Sequence, residues 1–444
     1  MGNNGLRISR ITLENIRGFE WVEINFKHLG SQSLLNVFLG DNGVGKSTLL
    51  KCLALGLASP KAASKLFEEP DQPWLRFNTQ SGMIKLEFSD GSYSQLLIKL
   101  ETYGERISDH FCKSEALLNE QIVICGYGAA RRAFGDKSHR GYSLSEAVST
   151  LFDYDAKLQN PELIIRRLLM PGTSIYSDTG EEILYWIDNV LLLPHGSTRL
   201  GQNGLEISGP WGDFAPLGML GDGYKATLAW IMDFLGWVLY SDLQMLRTGV
   251  QGIVLVDEIE QHLHPSWQRR IFSILNSQFP KVQFVTTTHS PLCVIGTTDF
   301  QDEQVSLVHL RRNEANTIIV RDDLKPPRGM RADQVLTSYL FGMETTSDDQ
   351  TKYEIERLSK LLSQKETNSQ QKEEINHLRS SLNAKLGTPE TELERAVALT
   401  TQQLLEEKQQ EIFDSLKQLH ENHPPKAAVE FELKRQIKDL LTGL

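Results

Sequence analysis

An α/β fold, a mixed sheet core wrapped by helices and followed by a helical extension, is predicted by three stretches of this 444-residue sequence. Leu34-Leu35-Asn36-Val37-Phe38-Leu39 is an apolar run of strand length, and Lys46 to Leu57 has the spacing of a helix; a glycine-rich loop joins the two. Ile253-Val254-Leu255-Val256 is fully apolar, as a parallel strand buried on both faces requires, and it ends in Asp257-Glu258. From Asp348 onward the composition turns to Glu, Gln, Lys and Leu, with apolar residues at helical spacing.

The loop of the first stretch, Gly40-Asp41-Asn42-Gly43-Val44-Gly45-Lys46-Ser47 with Thr48 behind it, has the pattern G-x-x-x-x-G-K-[ST]. Glycines let successive backbone N–H groups turn inward and approach phosphates without Cβ clashes. Lys46 brings a positive charge to the β- and γ-phosphate oxygens, and the Ser47 hydroxyl is a candidate Mg²⁺ ligand. Gly40 to Thr48 are therefore candidate ATP-binding residues. A buried strand that delivers two acids at its carboxyl end supplies the complementary part. Asp257 is the second candidate Mg²⁺ ligand, and Glu258 is the candidate general base for the attacking water. A third strand, Val282 to Val285, runs through Thr286-Thr287-Thr288 into His289-Ser290-Pro291.

Leu220-Gly221-Asp222-Gly223-Tyr224-Lys225 precedes the acidic strand and opens a helix predicted over Ala226 to Leu239. It resembles the L-S-G-G-Q signature loop of ABC-type ATPases, in the degenerate form of the RecF and SMC group. The resemblance implies that Gly221, Asp222 and Gly223 offer backbone donors to the γ-phosphate of ATP held by a second copy, hence a homodimer through the ATPase heads with higher oligomers left open. Gly221 stands where the usual serine would be, so one hydroxyl contact is missing. Leu13-Glu14-Asn15-Ile16-Arg17-Gly18-Phe19 resembles the opening hairpin of RecF- and SMC-type heads, beside the nucleotide base, which makes Arg17 a candidate nucleotide contact. Asp257-Glu258-Ile259-Glu260-Gln261-His262-Leu263-His264-Pro265 is similar to the D-E-x-x-x-H-L-H-P stretch of ABC-type AAA ATPases in bacterial defence. From it follow His264 on a loop that crosses the dimer interface and His289 as the γ-phosphate sensor. Gly126-Tyr127-Gly128-Ala129-Ala130-Arg131-Arg132 resembles the Y-G-x-x-R element of AAA ATPases related to OLD proteins and implies that Arg131 or Arg132 reaches a phosphate.

The expected organisation is an ATPase head over 1–345, with an insertion over about 61–210, and a helical region over 346–444 for partner or self association. The insertion is predicted to hold strands at Met83 to Phe88, Tyr93 to Leu100 and Gln121 to Cys125, and helices at Ser143 to Phe152 and Pro161 to Leu169. It lacks long paired heptads, so the head is compact, without an SMC-type arm. In the tail Ile355, Leu358 and Leu362, then Ile375, Leu378, Leu382 and Leu386, form narrow apolar stripes, with breaks at Gly387-Thr388-Pro389 and Pro424-Pro425. Ala332 to Gly342 resembles the region after the head in Septu-type (PtuA) ATPases, including those carried by retrons. That implies a separately encoded HNH nuclease subunit (PtuB-like), with a retron reverse transcriptase and its RNA/DNA product as a further candidate partner.

Composition narrows the rest. At 40% apolar and 23% charged residues, without an apolar stretch long enough to span a bilayer or an opening secretory signal, a cytoplasmic protein is expected. Four scattered cysteines have neither metal nor disulfide spacing. A net charge of −11 argues against a nucleic-acid coat, while Arg131-Arg132, Arg311-Arg312 and Lys325 with Arg328 and Arg331 leave local nucleic-acid contact open. No Toprim pattern follows His289, and His420-Glu421-Asn422-His423 lacks the strands and cysteines of an HNH site, so the chain itself is expected to cut nothing. The function expected is an ATP-hydrolysing regulatory subunit of an antiviral complex. The alternative is a RecF-like DNA repair ATPase without a nuclease partner.

Overall fold

The computed structural model describes residues 6–386 except 29–30, 33, 69–71, 120, 132–133, 136–140, 169–183, 202–203, 210–211, 242–244, 246–248, 314–316 and 363–367. Arg132, the breaks at Gly387-Thr388-Pro389 and Pro424-Pro425, and His420-Glu421-Asn422-His423 lie outside the described residues, as do the side chains of Asp222 and Leu386. The chain divides into two compact units, Met1–Thr346 and Ser347–Leu444.

The first unit opens with β1 (Ile8–Ile16) and β2 (Phe19–Asn25), the hairpin expected, whose turn places Arg17 at φ 47. Then come β3 (Leu35–Leu39) and α1 (Lys46–Leu57), the strand and helix that flank the phosphate-loop sequence. Next are β4 (Ser81–Phe88), β5 (Tyr93–Glu101), β6 (Gly104–Cys112), β7 (Val123–Tyr127) and α2 (Pro161–Leu168). A meander of β8 (Thr198–Gly201), β9 (Gly204–Gly209) and β10 (Gly212–Pro216) leads to α3 (Asp222–Ser241). The unit continues with β11 (Gln251–Val256), α4 (Pro265–Gln278), β12 (Lys281–Thr287), α5 (Pro291–Gly296), β13 (Val305–Arg312) and β14 (Ile318–Leu324).

The central sheet runs in the order β14-β13-β3-β12-β11-β7, parallel throughout except for β14. Its strands are apolar on both faces because both faces are covered. Leu35, Val37, Val254 and Val256 join one core with Trp230, Phe234 and Ile271 of α3 and α4. Phe38, Ile253 and Leu255 join a second core with Leu49, Leu50 and Leu53 of α1. Over α1 lies an antiparallel sheet ordered β2-β1-β4-β5-β6, and Gly56 is the point of closest approach: a Cβ there would stand 2.6 Å from the Leu86 side chain.

Strands of segment 61–210 complete the sheets of the head: β4 pairs with β1, and β7 is the edge strand beside β11. Within this segment, the helix expected over Ser143 to Phe152 is instead a turn of α-helix (Leu144–Ala147) and a 3₁₀ turn (Ser149–Leu151). The Ser149 hydroxyl donates to the Glu146 carbonyl at 2.8 Å, competing with the helical ladder, and the Thr150 hydroxyl ties the turn to β7 through the Gly126 carbonyl at 3.0 Å. The helix expected from Ala226 begins at Asp222, because the Gly221 carbonyl already accepts from the amides of Tyr224 and Lys225.

In the second unit α6 (Asp349–Leu362) and α7 (Ser369–Leu386) form a pair around Leu361, Ile375 and Leu378, with Leu358 against them. Ile375, Leu378 and Leu382 are buried as expected, but Ile355 and Leu362 are exposed. The buried face of α6 is rotated toward Glu354, which accepts from Lys385 Nζ at 2.8 Å and Ser381 Oγ at 2.9 Å. Among the described residues no helix is long and apolar enough to cross a membrane.

Candidate active site

Adjacent parallel strands β3, β12 and β11 release the chain at one edge of the sheet: into the glycine loop after Leu39, toward His289 after Thr287, and into Asp257-Glu258 after Val256. Such strand ends are where open parallel sheets hold ligands.

In the loop Gly40, Gly43 and Gly45 have φ of 138, 76 and 94. A Cβ would meet the Leu310 carbonyl at 2.1 Å on Gly40 and the Phe19 ring at 2.7 Å on Gly45, yet nothing within 4 Å on Gly43. Gly40 and Gly45 thus serve packing, while Gly43 is set by its backbone and leaves its outer face clear. Helix α1 starts with no side-chain cap and no acid in its first turn, so its first amides suit an anion. Asp41, Asn42 and Ser47 are exposed, Thr48 is half-buried, and Val44 is buried beneath them. Lys46 Nζ is folded back, donating to the carbonyls of Gly40 at 2.7 Å and Asp41 at 2.8 Å. Burial lowers its pKa, against the opposing charges of Asp257, Glu258, Asp41 and Glu260. Arg312, at the end of β13, pins the loop by donating to the Gly43 carbonyl at 3.1 Å.

Thr287 organises the acidic end. Its Oγ1 donates to Asp257 Oδ1 at 2.6 Å and accepts from the Glu258 amide at 2.7 Å. Glu258 itself has φ 47, a left-handed conformation that turns the chain as it leaves β11. Two residues on, Glu260 accepts from the His289 amide at 2.6 Å and ties the acidic turn to the third strand end. Thr287 and Glu260 had no role assigned from sequence, and Arg312 was read only as part of a local basic pair open to nucleic acid. The run Thr286-Thr287-Thr288 was the available signal, since hydroxyls at a strand end are placed to orient neighbouring acids. Ser47 and Asp257 fit magnesium, which takes one or two protein oxygens and completes its shell with phosphate and water. Among the described residues no group of three or more His, Cys, Asp and Glu could hold a metal ion.

Arg131, Arg17 and His264 find the following partners within the chain. Of Arg131 and Arg132, either of which was expected to reach a phosphate, Arg131 is 2% exposed, and its guanidinium donates to the carbonyls of Gly128, Asp257, Glu258 and Ile259. Arg17 stacks 4.5 Å from the Trp74 ring centre and donates to the carbonyls of Pro73 and Gln72 at 3.1 and 3.3 Å, while the turn it belongs to abuts the glycine loop through Phe19. His264 is exposed and caps α4, its Nδ1 accepting from the Ser266 amide at 3.3 Å. In the signature turn Gly221 is exposed with open space about it, whereas a Cβ on Gly223 would stand 2.6 Å from the His262 carbonyl of the same chain. Tyr224 meets Trp267 edge-on at 4.8 Å, so the start of α3 packs on the segment that follows the acidic strand.

Two family descriptions match the first unit: "AAA domain, putative AbiEii toxin, Type IV TA system" over residues 139–294 and "AAA domain" over residues 10–163. The chain is 28% identical to "Septu protein PtuA" of Bacillus mycoides (strain KBAB4) over 86% of its own length and 51% of that protein. It is 29% identical to "Retron Vc95 probable ATPase" of Vibrio cholerae serotype O1 biovar El Tor, over 39% of this chain and 32% of that one. The chain thus spans about half or less of the length of these relatives. The crystal structure of the SmcHead bound to the C-winged helix domain of ScpA aligns with a TM-score of 0.44 and 17% identity, over 73% of this chain and 99% of that one. With its glycine loop, acidic strand and histidine gathered at one sheet edge, the chain matches AAA-domain families over residues 10–163 and 139–294 and is similar over 86% of its length to the Septu protein PtuA.

Proposed function

We propose that this chain binds ATP with Mg²⁺ at the strand ends, hydrolyses it, and regulates a separate effector in a bacterial anti-phage defence complex. The observation that carries the catalytic part is the convergence of the glycine loop, Asp257-Glu258 and His289 on β3, β11 and β12. The amides from Gly40 to Thr48 cradle the phosphates. Lys46 exchanges the Gly40 and Asp41 carbonyls for phosphate oxygens. Glu258 takes the proton of the attacking water, and His289, its backbone fixed by Glu260, contacts the γ-phosphate. When bound, magnesium neutralises charge on the phosphate oxygens, and Ser47 and Asp257 would hold it.

In this reading two cytoplasmic copies close around two ATP molecules. Gly221, Asp222 and Gly223 of each address the nucleotide of the other, with His264 near the seam and Arg17 on the base side. The names of the relatives support the defence role. The segment 348–444 docks and restrains an HNH nuclease (PtuB-like), released according to ATP state, and a retron reverse transcriptase with its RNA/DNA product is a second partner to test.

Labelled-ATP binding and turnover test the catalytic part: Lys46→Ala loses binding, and Glu258→Gln keeps ATP but stops hydrolysis. Wild-type turnover by Glu258→Gln removes that residue from the base role. For the partner, pull-down of an adjacent nuclease gene product is expected with the full chain and lost on deleting 348–444. Equal recovery moves the docking surface to the head, and no partner with either favours a RecF-like repair ATPase.

A further inference from the structure

We infer that Arg131 is a positioning residue for hydrolysis, holding Glu258 in its left-handed conformation by gathering the carbonyls of the acidic turn. The inference rests on the proposed role of Glu258 as base. Successive carbonyls of an extended strand point to opposite sides. Here those of Asp257, Glu258 and Ile259 converge on one guanidinium at 2.6, 2.9 and 3.4 Å, because the chain reverses at Glu258, where φ is 47. The Gly128 carbonyl, at 3.0 Å, anchors the same group to the end of the neighbouring strand β7. Thr287 holds the Glu258 amide from the other side, so both peptide groups that orient the side chain are gripped. Only a rigid planar fork with several donors serves so many acceptors at once; an ammonium is a point charge. Burial pulls the arginine pKa down to about 10, against the charges of Asp257, Glu260 and Glu258, so the cation persists at neutral pH. With four carbonyls engaged, the group is committed to the turn and not to a phosphate.

The turn is the geometry of the base, so loosening it alters the chemical step and spares nucleotide binding. A displacement of an ångström costs roughly a hundredfold in rate. Arg131→Lys and Arg131→Ala are to be compared with wild type and Glu258→Gln, measuring ATP affinity, kcat per bound ATP and KM. The expected result is kcat lower by about a hundredfold in Arg131→Ala and less in Arg131→Lys, with affinity and KM unchanged. Millimolar guanidinium should restore part of kcat in Arg131→Ala and leave Arg131→Lys unaffected. Wild-type kcat per bound ATP in Arg131→Lys and Arg131→Ala overturns the inference, and so does parallel loss of affinity and kcat, which marks a merely structural role. Full turnover by Glu258→Gln would instead overturn the base assignment, and the inference with it, so the two failures are told apart.

Discussion

Substituting Gly223 and Gly221 separately probes how the signature turn is used. An ideal Cβ on Gly223 lies 2.6 Å from the His262 carbonyl oxygen, and ordinary contact begins at 3.4 Å, so about 0.8 Å (3.4 − 2.6) must be absorbed. The obstacle is backbone, flanked by the left-handed His262 at φ 66, and cannot swing away as a side-chain tip would. Overpacking of this kind costs about 1–3 kcal/mol. Alanine recovers up to about 1 kcal/mol of helix propensity in the first turn of α3. Gly223→Ala should therefore lose up to about 3 kcal/mol, with about 1–2 kcal/mol at mid-range. Gly221→Ala meets nothing within 4 Å and has no positive φ, so it should be neutral or gain about 0.4–1 kcal/mol through the unfolded chain. Urea unfolding followed by tryptophan fluorescence, which reports on Trp230, Trp237 and Trp267 around this helix, separates the two. Equal stability of the two variants would refute the argument that Gly223 serves contact within its own chain. The same geometry selects Gly221→Asp for testing contact with the other copy's ATP, by light scattering with Mg-ATP on a Glu258→Gln background. A carboxylate at 223 would act through the local clash instead.

Asp233 is fully buried, accepting from Tyr127 Oη at 3.0 Å and the Gln159 amide at 2.8 Å, and burial raises it from 3.8 to about 6. Its folded value lies above its unfolded one, so its contribution is complete below pH 4 and declines as pH rises to about 6, by roughly 3 kcal/mol at most. Stability profiles of wild type and Asp233→Asn should differ by that slope between pH 4 and 6, and parallel profiles would contradict it. Burial also pushes the thiols of Cys52 and Cys293 to about 12 and Cys125 well above its usual range, while Cys112 is half-exposed. Disulfide-exchange titration at pH 8 should find one reactive thiol in the native protein and four after unfolding; more than one in the native state would show that the core opens. Leu361→Ala, at a fully buried position between α6 and α7, should cost about 2–5 kcal/mol. Hydrogen exchange should show the loss in the 347–386 helices while ATP affinity at Lys46 stays unchanged.

Legibility in the sequence followed the range of the interaction. Strands β3, β11 and β12 could be read because parallel strands buried on both faces are predominantly apolar, with only Asn36 interrupting β3 and Gln283 interrupting β12 before its closing threonines, and α1 because a glycine loop marks its start. The N-terminal hairpin was legible from its turn. Within the head, segment 61–210 could be read only as an insertion, since the pairing of β4 with β1 and of β7 with β11 is long-range and leaves no local mark. Arg131 shows the limit most sharply. Its motif was visible, but three of its four carbonyl partners lie 126 to 128 residues away, and a buried arginine reads the same as a phosphate-binding one. In the tail, helical spacing located α7 correctly and misjudged the face of α6, because Glu354 with Ser381 and Lys385 takes an inward position that an apolar pattern assigns to leucine.

The left-handed backbone at Glu258 also bears on how this chain would respond to selection. An L-residue other than glycine in that conformation costs about 1–2 kcal/mol. Any substitution to glycine there relieves the cost at the moment it removes the carboxylate. Laboratory evolution for thermal resistance alone would thus favour loss of this carboxylate, Glu258→Gly outlasting Glu258→Gln on heating, and under the base role proposed for Glu258 variant libraries built on this scaffold would need a screen for turnover at every round to keep the two properties together.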